Sequence, residues 1–194
     1  NPGAEIILKD ADAPSLEALG TYRHPAVNWS PDSKGAAQFY PAHSNGAEGA
    51  LVEVNPETGE IEIKKIWMVA DHGTVLNPII LKGQITGGIV QQIGGTLYEK
   101  LDYDKHGKPL QNNLKEYGFP TIWAAPEIEI HHLETKSPST EIGAKGGGED
   151  GCIATSTAIM AAVEDALRPL GVKIMSSDLS PKNLIKLITK NSKK

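Results

Sequence analysis

The sequence contains a single cysteine, Cys152, among its 194 residues. It can therefore form no internal disulfide and no cysteine-rich metal site. A chain without disulfides fits a reducing compartment, so we expect a cytoplasmic protein. No apolar run reaches the length of a membrane span, and we expect no membrane partner.

The chain also has a deficit of positive charge. It holds 19 Lys and Arg residues against 24 Asp and Glu residues, which leaves a net charge of -5. Nucleic-acid-binding domains usually carry a basic face, so we expect no nucleic-acid partner. Lysines cluster only towards the end of the sequence, and we interpret residues 191–194 as a basic, solvated tail.

Residues 1–48 show little hydrophobic periodicity and are rich in Pro, Gly, Ser, Asn and Ala. A loop of this length is uncommon in a self-sufficient domain. We therefore predict that 1–48 is an irregular segment that packs against a partner, and that residues 49–190 form the domain.

The domain region predicts alternating strands and helices. "GALVEV" and "EIEIKKIWMVAD" flank the turn residues "NPETGE" and predict a hairpin. "GQITGGIVQQIGGTLYEK" has apolar residues at helical spacing, but the four glycines Gly87, Gly88, Gly94 and Gly95 each cost about 1 kcal/mol relative to alanine. We infer that a ligand or another backbone approaches this helix closely. A strand at about 127–134, a helix after residue 151 and a short last helix beginning near Pro181 follow.

The densest glycine run is "EIGAKGGGEDG", residues 141–151. It is not a P-loop, because no Lys-Ser or Lys-Thr follows its last glycine. It is not a linker either, because it leads directly into a predicted helix. A tight loop before a helix N-terminus remains, where exposed amides favour negative charge. Asp150 is predicted to be the N-cap of that helix.

Glu149 would then project from the loop, one residue before the helix. A rigidly presented carboxylate is what a general base requires. The alternative is an ordinary capping or surface carboxylate, and these residues alone leave both interpretations open.

The histidines give little indication of a metal site. His131 and His132 are adjacent on a predicted strand, so their side chains point to opposite faces and cannot bind one metal together. The other four lie in predicted loops, and we predict surface positions for His24, His43, His72 and His106.

A few other side chains have two plausible roles. Cys152, near a helix N-terminus, is either a thiol of lowered pKa or a small packed residue. Asp71 and Asn77 flank the loop "DHGTVLNP" and are predicted to fix its backbone. Tyr98 and Trp123 are predicted to pack in the core or at an interface.

Five motifs, taken together, resemble a known family. "DHGTVLNP", "GQITGGIVQQIGGTLYE", "EYGFPT", "GAKGGGEDG" and "STAIMAAVEDAL" occur in that order. They are similar to the C-terminal part of the molybdenum-binding subunit of the xanthine dehydrogenase and aldehyde oxidase family of molybdenum hydroxylases. The resemblance spans about residues 20–190. It implies an α+β fold, a mixed sheet with packed helices that a partner chain completes.

The resemblance also implies roles for individual residues. Glu149 matches the family glutamate that acts as general base on an oxygen ligand of molybdenum. Gln84 matches the glutamine that hydrogen-bonds the pterin, with Gly83 beside it. Gly147 and Gly148 would supply amides near the cofactor, and no side chain of this chain is a metal ligand. The family usually has valine or a similar apolar residue at the position of Gly147, so a looser loop is expected here.

By the same resemblance, the cofactor is molybdenum–molybdopterin, with the cytosine dinucleotide form as one variant. The motifs of the first half of the family subunit are absent, so the site would be shared with the remaining part of the molybdenum subunit. Iron–sulfur clusters and FAD would lie on partner subunits.

The implied reaction is hydroxylation of an electron-poor carbon in a small molecule, either an aldehyde or an N-heterocycle such as a purine. A non-catalytic assembly or scaffold subunit is the alternative. We interpret the chain as one piece of a split subunit that becomes active only when assembled, and a piece of a longer single polypeptide is the alternative.

Overall fold

The computed structural model describes Thr21 and residues 42–191. Most of the predicted segment 1–48 and the last three residues of the predicted tail lie outside the described residues. The strands are β1 (Asn45–Val54), β2 (Ile61–Asp71) and β3 (Glu127–Leu133). The helices are α1 (Pro78–Ile93), α2 (Leu114–Tyr117), α3 (Asp150–Ile153), α4 (Thr155–Leu167) and α5 (Pro181–Asn191).

The three strands form one mixed sheet in the order β1-β2-β3. β1 and β2 are the predicted antiparallel hairpin, and β3 pairs with β2 in parallel. The Asn55 side chain accepts hydrogen bonds from the backbone N–H groups of Glu57 and Thr58, and Gly59 has a φ of +73° that suits glycine. These contacts close the hairpin turn, and the mixed sheet with packed helices is confirmed.

The core lies between this sheet and helices α1, α4 and α5. Alternate residues of β2 face inward, because side chains alternate between the two faces of a strand. Each fully buried aliphatic side chain contributes about 1.5–3 kcal/mol relative to an exposed one. The largest fully buried apolar side chains in the sheet and in helices α1 and α4 are Ile66, Met68, Ile85, Ile89, Ile93, Ile159 and Val163.

Helix α1 is confirmed, but it begins earlier than the sequence predicts. The sequence predicts a loop over "DHGTVLNP" and helical spacing only from Gly83 onward. Instead, the Asn77 side chain accepts a hydrogen bond of 3.1 Å from the Ile80 N–H, and Pro78 is the first helical residue. Proline suits this position because its missing N–H would have no partner there. The prediction that Asn77 fixes the backbone is confirmed.

The predicted helix after the glycine loop is present, but it is broken into α3 and α4 at Ala154. The Thr155 hydroxyl at the break is fully buried, 2.7 Å from the Gly151 carbonyl oxygen and 2.6 Å from Glu48 Oε2. A hydroxyl that binds the carbonyl four residues earlier often bends a helix. Within the described part of the chain, none of the helices has the length and apolarity needed to cross a membrane.

Candidate functional site

The glycine loop is attached to the segment that follows β2. Gly73 and Ala144 form an isolated β-bridge, and the Lys145 N–H donates to the His72 carbonyl at 2.8 Å. Gly73 and Gly143 have φ angles of +61° and +76°, which glycine adopts without a side-chain penalty. The path of the loop is therefore fixed by backbone contacts to residues 72–74.

Asp71 anchors one end of this arrangement. Its Oδ1 accepts hydrogen bonds of 3.0 Å from the N–H groups of Gly73 and Thr135, and its Oδ2 lies 3.1 Å from Lys145 Nζ. The Gly73 hydrogen bond, with contributions from Thr135 and Lys145, holds the pKa of Asp71 well below its usual range. The prediction that Asp71 fixes the backbone is confirmed.

His72 anchors the other end, and its predicted surface position is wrong. The side chain is 2% exposed, and its Nε2 lies 2.6 Å from Asp150 Oδ2. The contact is a close polar approach and not an aligned hydrogen bond. His72 is buried because it directly follows the core strand β2 and its ring lies against Gly147, which has no side chain.

The predicted N-cap role of Asp150 is also wrong. Glu149 occupies the N-cap position of α3, without a side-chain capping bond, and Asp150 is the first helical residue. The Asp150 carboxylate points instead to His72 and accepts a 2.8 Å hydrogen bond from the Ser44 hydroxyl. Contacts across the fold therefore determine the orientation of Asp150.

Gly147 is closely packed, so the expectation of a looser loop is wrong. A Cβ atom at this position would lie 2.7 Å from His72 Cδ2 and 2.7 Å from Leu81 Cδ1. Neither distance allows a side chain without displacement of a neighbour. Beside Gly146 and Gly148, by contrast, a Cβ would meet no atom within 4 Å.

Helices α1 and α3 cross at a pair of glycines. A Cβ on Gly88 would lie 3.2 Å from the Gly151 Cα, and one on Gly151 would lie 2.9 Å from the Ile89 nitrogen. The predicted close approach to the glycines of α1 is therefore confirmed at Gly88, where the neighbour is another backbone. Next to Gly83 and Gly87 a Cβ would meet nothing within 4 Å.

The predicted site residues flank this crossing, and we call the exposed surface beside it the α1–α3 edge. Gln84 is one helical turn before Gly88, and Glu149 is two residues before Gly151. Both residues are exposed, as are Gly83 and Gly148. Neither the Gln84 nor the Glu149 side chain forms a hydrogen bond or ion pair with any residue that the structure describes.

The two strand histidines lie on opposite faces, as predicted. His131 is exposed and contacts Glu129, whereas the ring centroid of His132 lies 5.7 Å from that of His72. Burial lowers the pKa of His132. His43 and His106 are exposed, and His24 lies outside the described residues. Across residues 42–191 no three His, Cys, Asp or Glu side chains form a group that could hold a metal ion.

Cys152 is a packed residue. Burial raises the pKa of its thiol, and its sulfur lies 3.4 Å from the Gly88 carbonyl oxygen. The alternative of a lowered thiol pKa is wrong, because α3 is short and the nearby Glu149 and Glu48 carboxylates disfavour the thiolate. Trp123 and Tyr98 are 92% and 46% exposed, so neither belongs to the core, and an interface role stays a prediction.

Sequence reasoning missed three residues that fix the loop: His72, Lys145 and Asp150. One signal was available, since Lys145 is the only cation in a glycine run, and a lysine that becomes buried requires a counter-charge. Nothing local indicated that Asp71 would supply this charge. The contact joins residues 74 positions apart in the sequence.

Comparison with known proteins places this geometry in a family. Residues 2–126 match the family model of the molybdopterin cofactor-binding domain, a range that includes Gly83 and Gln84 and ends before Glu149. The chain is 40% identical over 146 residues to the nicotine 6-hydroxylase large subunit of Paenarthrobacter nicotinovorans, which covers 75% of this chain and 18% of that protein. It is 30% identical to the carbon monoxide dehydrogenase large chain of Hydrogenophaga pseudoflava, over 80% of this chain and 20% of that protein.

Solved structures give the same result. Quinoline 2-oxidoreductase from Pseudomonas putida 86 matches with a TM-score of 0.73 and 40% identity, over 76% of this chain and 19% of that chain. Aldehyde oxidoreductase from Desulfovibrio gigas matches with a TM-score of 0.70 and 28% identity, over 80% of this chain and 16% of that chain. The chain thus spans about a fifth of the length of these relatives. It belongs to the molybdopterin cofactor-binding domain family, as a part of the molybdenum-binding large subunit of xanthine oxidase-type enzymes.

Proposed function

We propose that this chain supplies part of the catalytic site of a molybdenum hydroxylase, with Glu149 as general base and Gln84 as a contact to the pterin. One observation carries the proposal. The crossing of α1 and α3 places these two exposed polar side chains on adjoining elements, and neither has a partner among the described residues. Both side chains are therefore free to contact a ligand that binds beside this crossing.

The residues at this edge fit a large planar cofactor. Backbone can approach a flat group closely where no Cβ intervenes, and the space beside Gly83, Gly146 and Gly148 is open. The Gln84 carboxamide offers both a donor and an acceptor to a pterin ring. Gly148 and Gly147 carry backbone N–H groups close to the same edge, although Gly147 itself is packed against His72.

The cofactor, when bound, would supply the two-electron oxidation of the substrate carbon. Glu149 would hold the proton released as that carbon is hydroxylated, because an ionised carboxylate next to a reacting group accepts a proton in the transition state. The contacts of Lys145 and Asp150 on either side of Glu149 would keep the carboxylate oriented and reduce the entropy lost in reaching the reactive geometry.

The names of the relatives support a substrate class and a set of partners for this chain. Their names specify nicotine, quinoline, carbon monoxide and aldehydes as substrates. For this chain we propose an electron-poor carbon of an N-heterocycle or an aldehyde. The chain spans about a fifth of a large subunit, so the remaining part of that subunit would complete the cofactor site. Iron–sulfur and FAD subunits would carry the electrons away.

Glu149→Gln in the assembled complex tests the assignment. The amide keeps the shape of the side chain but cannot accept the proton, so we expect substrate oxidation to slow by roughly 100-fold or more. Molybdenum content should equal that of the wild type. Glu141→Gln, an exposed carboxylate of the same loop, is the control and should retain its rate. Undiminished turnover by the Glu149 variant would contradict the proposal.

A non-catalytic assembly subunit is the second candidate, and exposed apolar side chains favour it. Ile79, Ile122 and Trp123 are 85%, 83% and 92% exposed, which is typical of side chains that a partner covers. In that case the Glu149→Gln substitution would change the yield of the complex and leave the rate per molybdenum unaltered.

A further inference from the structure

No contact of its own side chain holds Glu149 in position. Among the described residues it has no hydrogen-bond or ion-pair partner, and the glycines at 146 and 148 have open space beside them. What restrains the carboxylate must therefore act on the residues that flank it. Those residues are Lys145, Gly147 and Asp150.

His72 contacts all three of these positions. Its carbonyl oxygen accepts the Lys145 N–H at 2.8 Å. A Cβ atom on Gly147 would lie 2.7 Å from the Cδ2 atom of the His72 ring. Its Nε2 lies 2.6 Å from Asp150 Oδ2. One residue thus contacts the loop before, beneath and after the segment that carries Glu149.

The His72 ring is itself firmly placed. It is 2% exposed, follows the core strand β2, and packs edge-on against His132 at a centroid distance of 5.7 Å. A buried ring in a packed interior transmits displacement to its neighbours, because interiors contain few voids into which side chains can relax. Movement or loss of this ring would therefore be felt in the loop.

Gly147 and His72 also compete for the same space. A side chain at position 147 would have to displace both His72 and Leu81, since each lies 2.7 Å from the position of its Cβ, far below van der Waals contact. The imidazole of His72 therefore occupies part of the volume that a side chain at position 147 would fill. A pair related in this way should show strong energetic coupling.

We infer that His72 is a positioning residue for Glu149: its ring fills the space left by Gly147 and, through Asp150, sets the direction in which the loop presents the carboxylate. The inference rests on the proposed role of Glu149. The ring of His72 is buried, and the inference predicts that a larger side chain at position 147 is tolerated better when the side chain at position 72 is smaller.

A double-mutant cycle tests this inference. His72→Ala, Gly147→Val and the double variant are compared in the full chain within its assembled complex. Two quantities are measured: the amide hydrogen-exchange rates of residues 143–152, and kcat and KM for the substrate. His72→Gln is added because it keeps a nitrogen donor near Asp150 and most of the volume. His131→Ala, an exposed histidine of β3, is the matched control.

We expect His72→Ala to speed exchange in 143–152 and to lower kcat by roughly 10- to 100-fold with little change in KM, because a small misplacement of a catalytic group is costly. His72→Gln should recover most of the rate, and Gly147→Val should be less harmful on the His72→Ala background than alone. His131→Ala should match the wild type. Unchanged exchange in His72→Ala, or effects that multiply independently in the double variant, would overturn the inference.

The exchange measurement separates this inference from the proposed function. If Glu149→Gln keeps full turnover, the proposed base is wrong, yet the exchange rates in the His72 and Gly147 variants still report whether His72 holds the loop. Faster exchange together with coupling between positions 72 and 147 supports the positioning role. If the substitutions at positions 72 and 147 change the exchange rates independently, the positioning role is refuted, whatever the role of Glu149.

Discussion

At the scale of single residues, two adjacent side chains at the end of β2 hold the glycine loop in place. Asp71 pairs with Lys145 at 3.1 Å, and His72 lies 2.6 Å from Asp150. The paired side chains are largely removed from water, and breaking such a pair leaves a polar or charged group without compensation. The loop is therefore fixed at both ends by residues far away in the sequence.

Asp71→Asn tests the first of these anchors through its pH dependence. The pKa of Asp71 is lowered in the folded chain, chiefly by the Gly73 hydrogen bond. Its contribution to stability is therefore complete above the ordinary aspartate pKa of about 3.9 and disappears as the pH falls through the lower folded value. We expect the variant to unfold at a lower temperature at pH 7, with a difference from the wild type that shrinks below about pH 4.

Thermal unfolding followed by circular dichroism between pH 7 and pH 3 measures this difference. Glu57→Gln in the exposed hairpin turn is the control and should follow the wild type throughout. A deficit that stays constant down to pH 3 would show that the Asp71 effect does not depend on its charge.

At the scale of elements, the crossing of α1 and α3 determines which face of each helix is available. Gly88 and Gly151 allow their backbones to meet, while Gly83 and Gly87 remain on an open face of α1. Glycine in a helix costs about 1 kcal/mol relative to alanine. At Gly88 a glycine is required because another backbone packs against it. At Gly87 no contact among the described residues requires one.

Gly87→Ala and Gly151→Ala should consequently have opposite effects on the free energy of unfolding. Alanine at 87 meets no atom within 4 Å, so we expect stabilisation of about 0.5–1 kcal/mol. Alanine at 151 would press on the Ile89 nitrogen at 2.9 Å, and we expect destabilisation of about 1–3 kcal/mol. Unfolding of both variants in urea measures these two changes in the free energy of unfolding. Destabilisation by Gly87→Ala would mean that this face is already covered within the chain.

Sequence alone predicted the elements whose signals are local. The turn residues between two alternating segments predict the hairpin, and apolar residues at helical spacing predict α1 despite Gly87 and Gly88. The start of α1 was missed because Asn77-Pro78 serves equally as a stop or as a cap with proline in the first turn. The break at Ala154 depends on Thr155, whose hydroxyl contacts reach Glu48 across the fold.

Of the residues in and around the candidate site, the sequence indicated only the exposed ones. Glu149 and Gln84 stand in motifs, and motifs are visible in a sequence. The burial of His72 and the turn of Asp150 towards it arise from contacts between residues 78 positions apart, so no local pattern indicates them. The packing of Gly147 against the His72 ring is of the same kind.

At the scale of the whole molecule, the chain corresponds to one part of a larger subunit. It spans about a fifth of the length of its relatives, and large apolar side chains such as Ile79 and Trp123 stand exposed on its surface. The edge that carries Gln84 and Glu149 is likewise open. A covering polypeptide and a bound cofactor would account for both features.

The most direct test of this account is a structure of the assembled complex with its cofactor bound. We expect the Glu149 carboxylate to face the molybdenum site, the Gln84 carboxamide to contact the pterin, and the open faces of Gly83 and Gly148 to lie against the cofactor. Glu149 directed away from any metal, with the α1–α3 edge covered only by protein, would contradict the central claim that this chain provides the base.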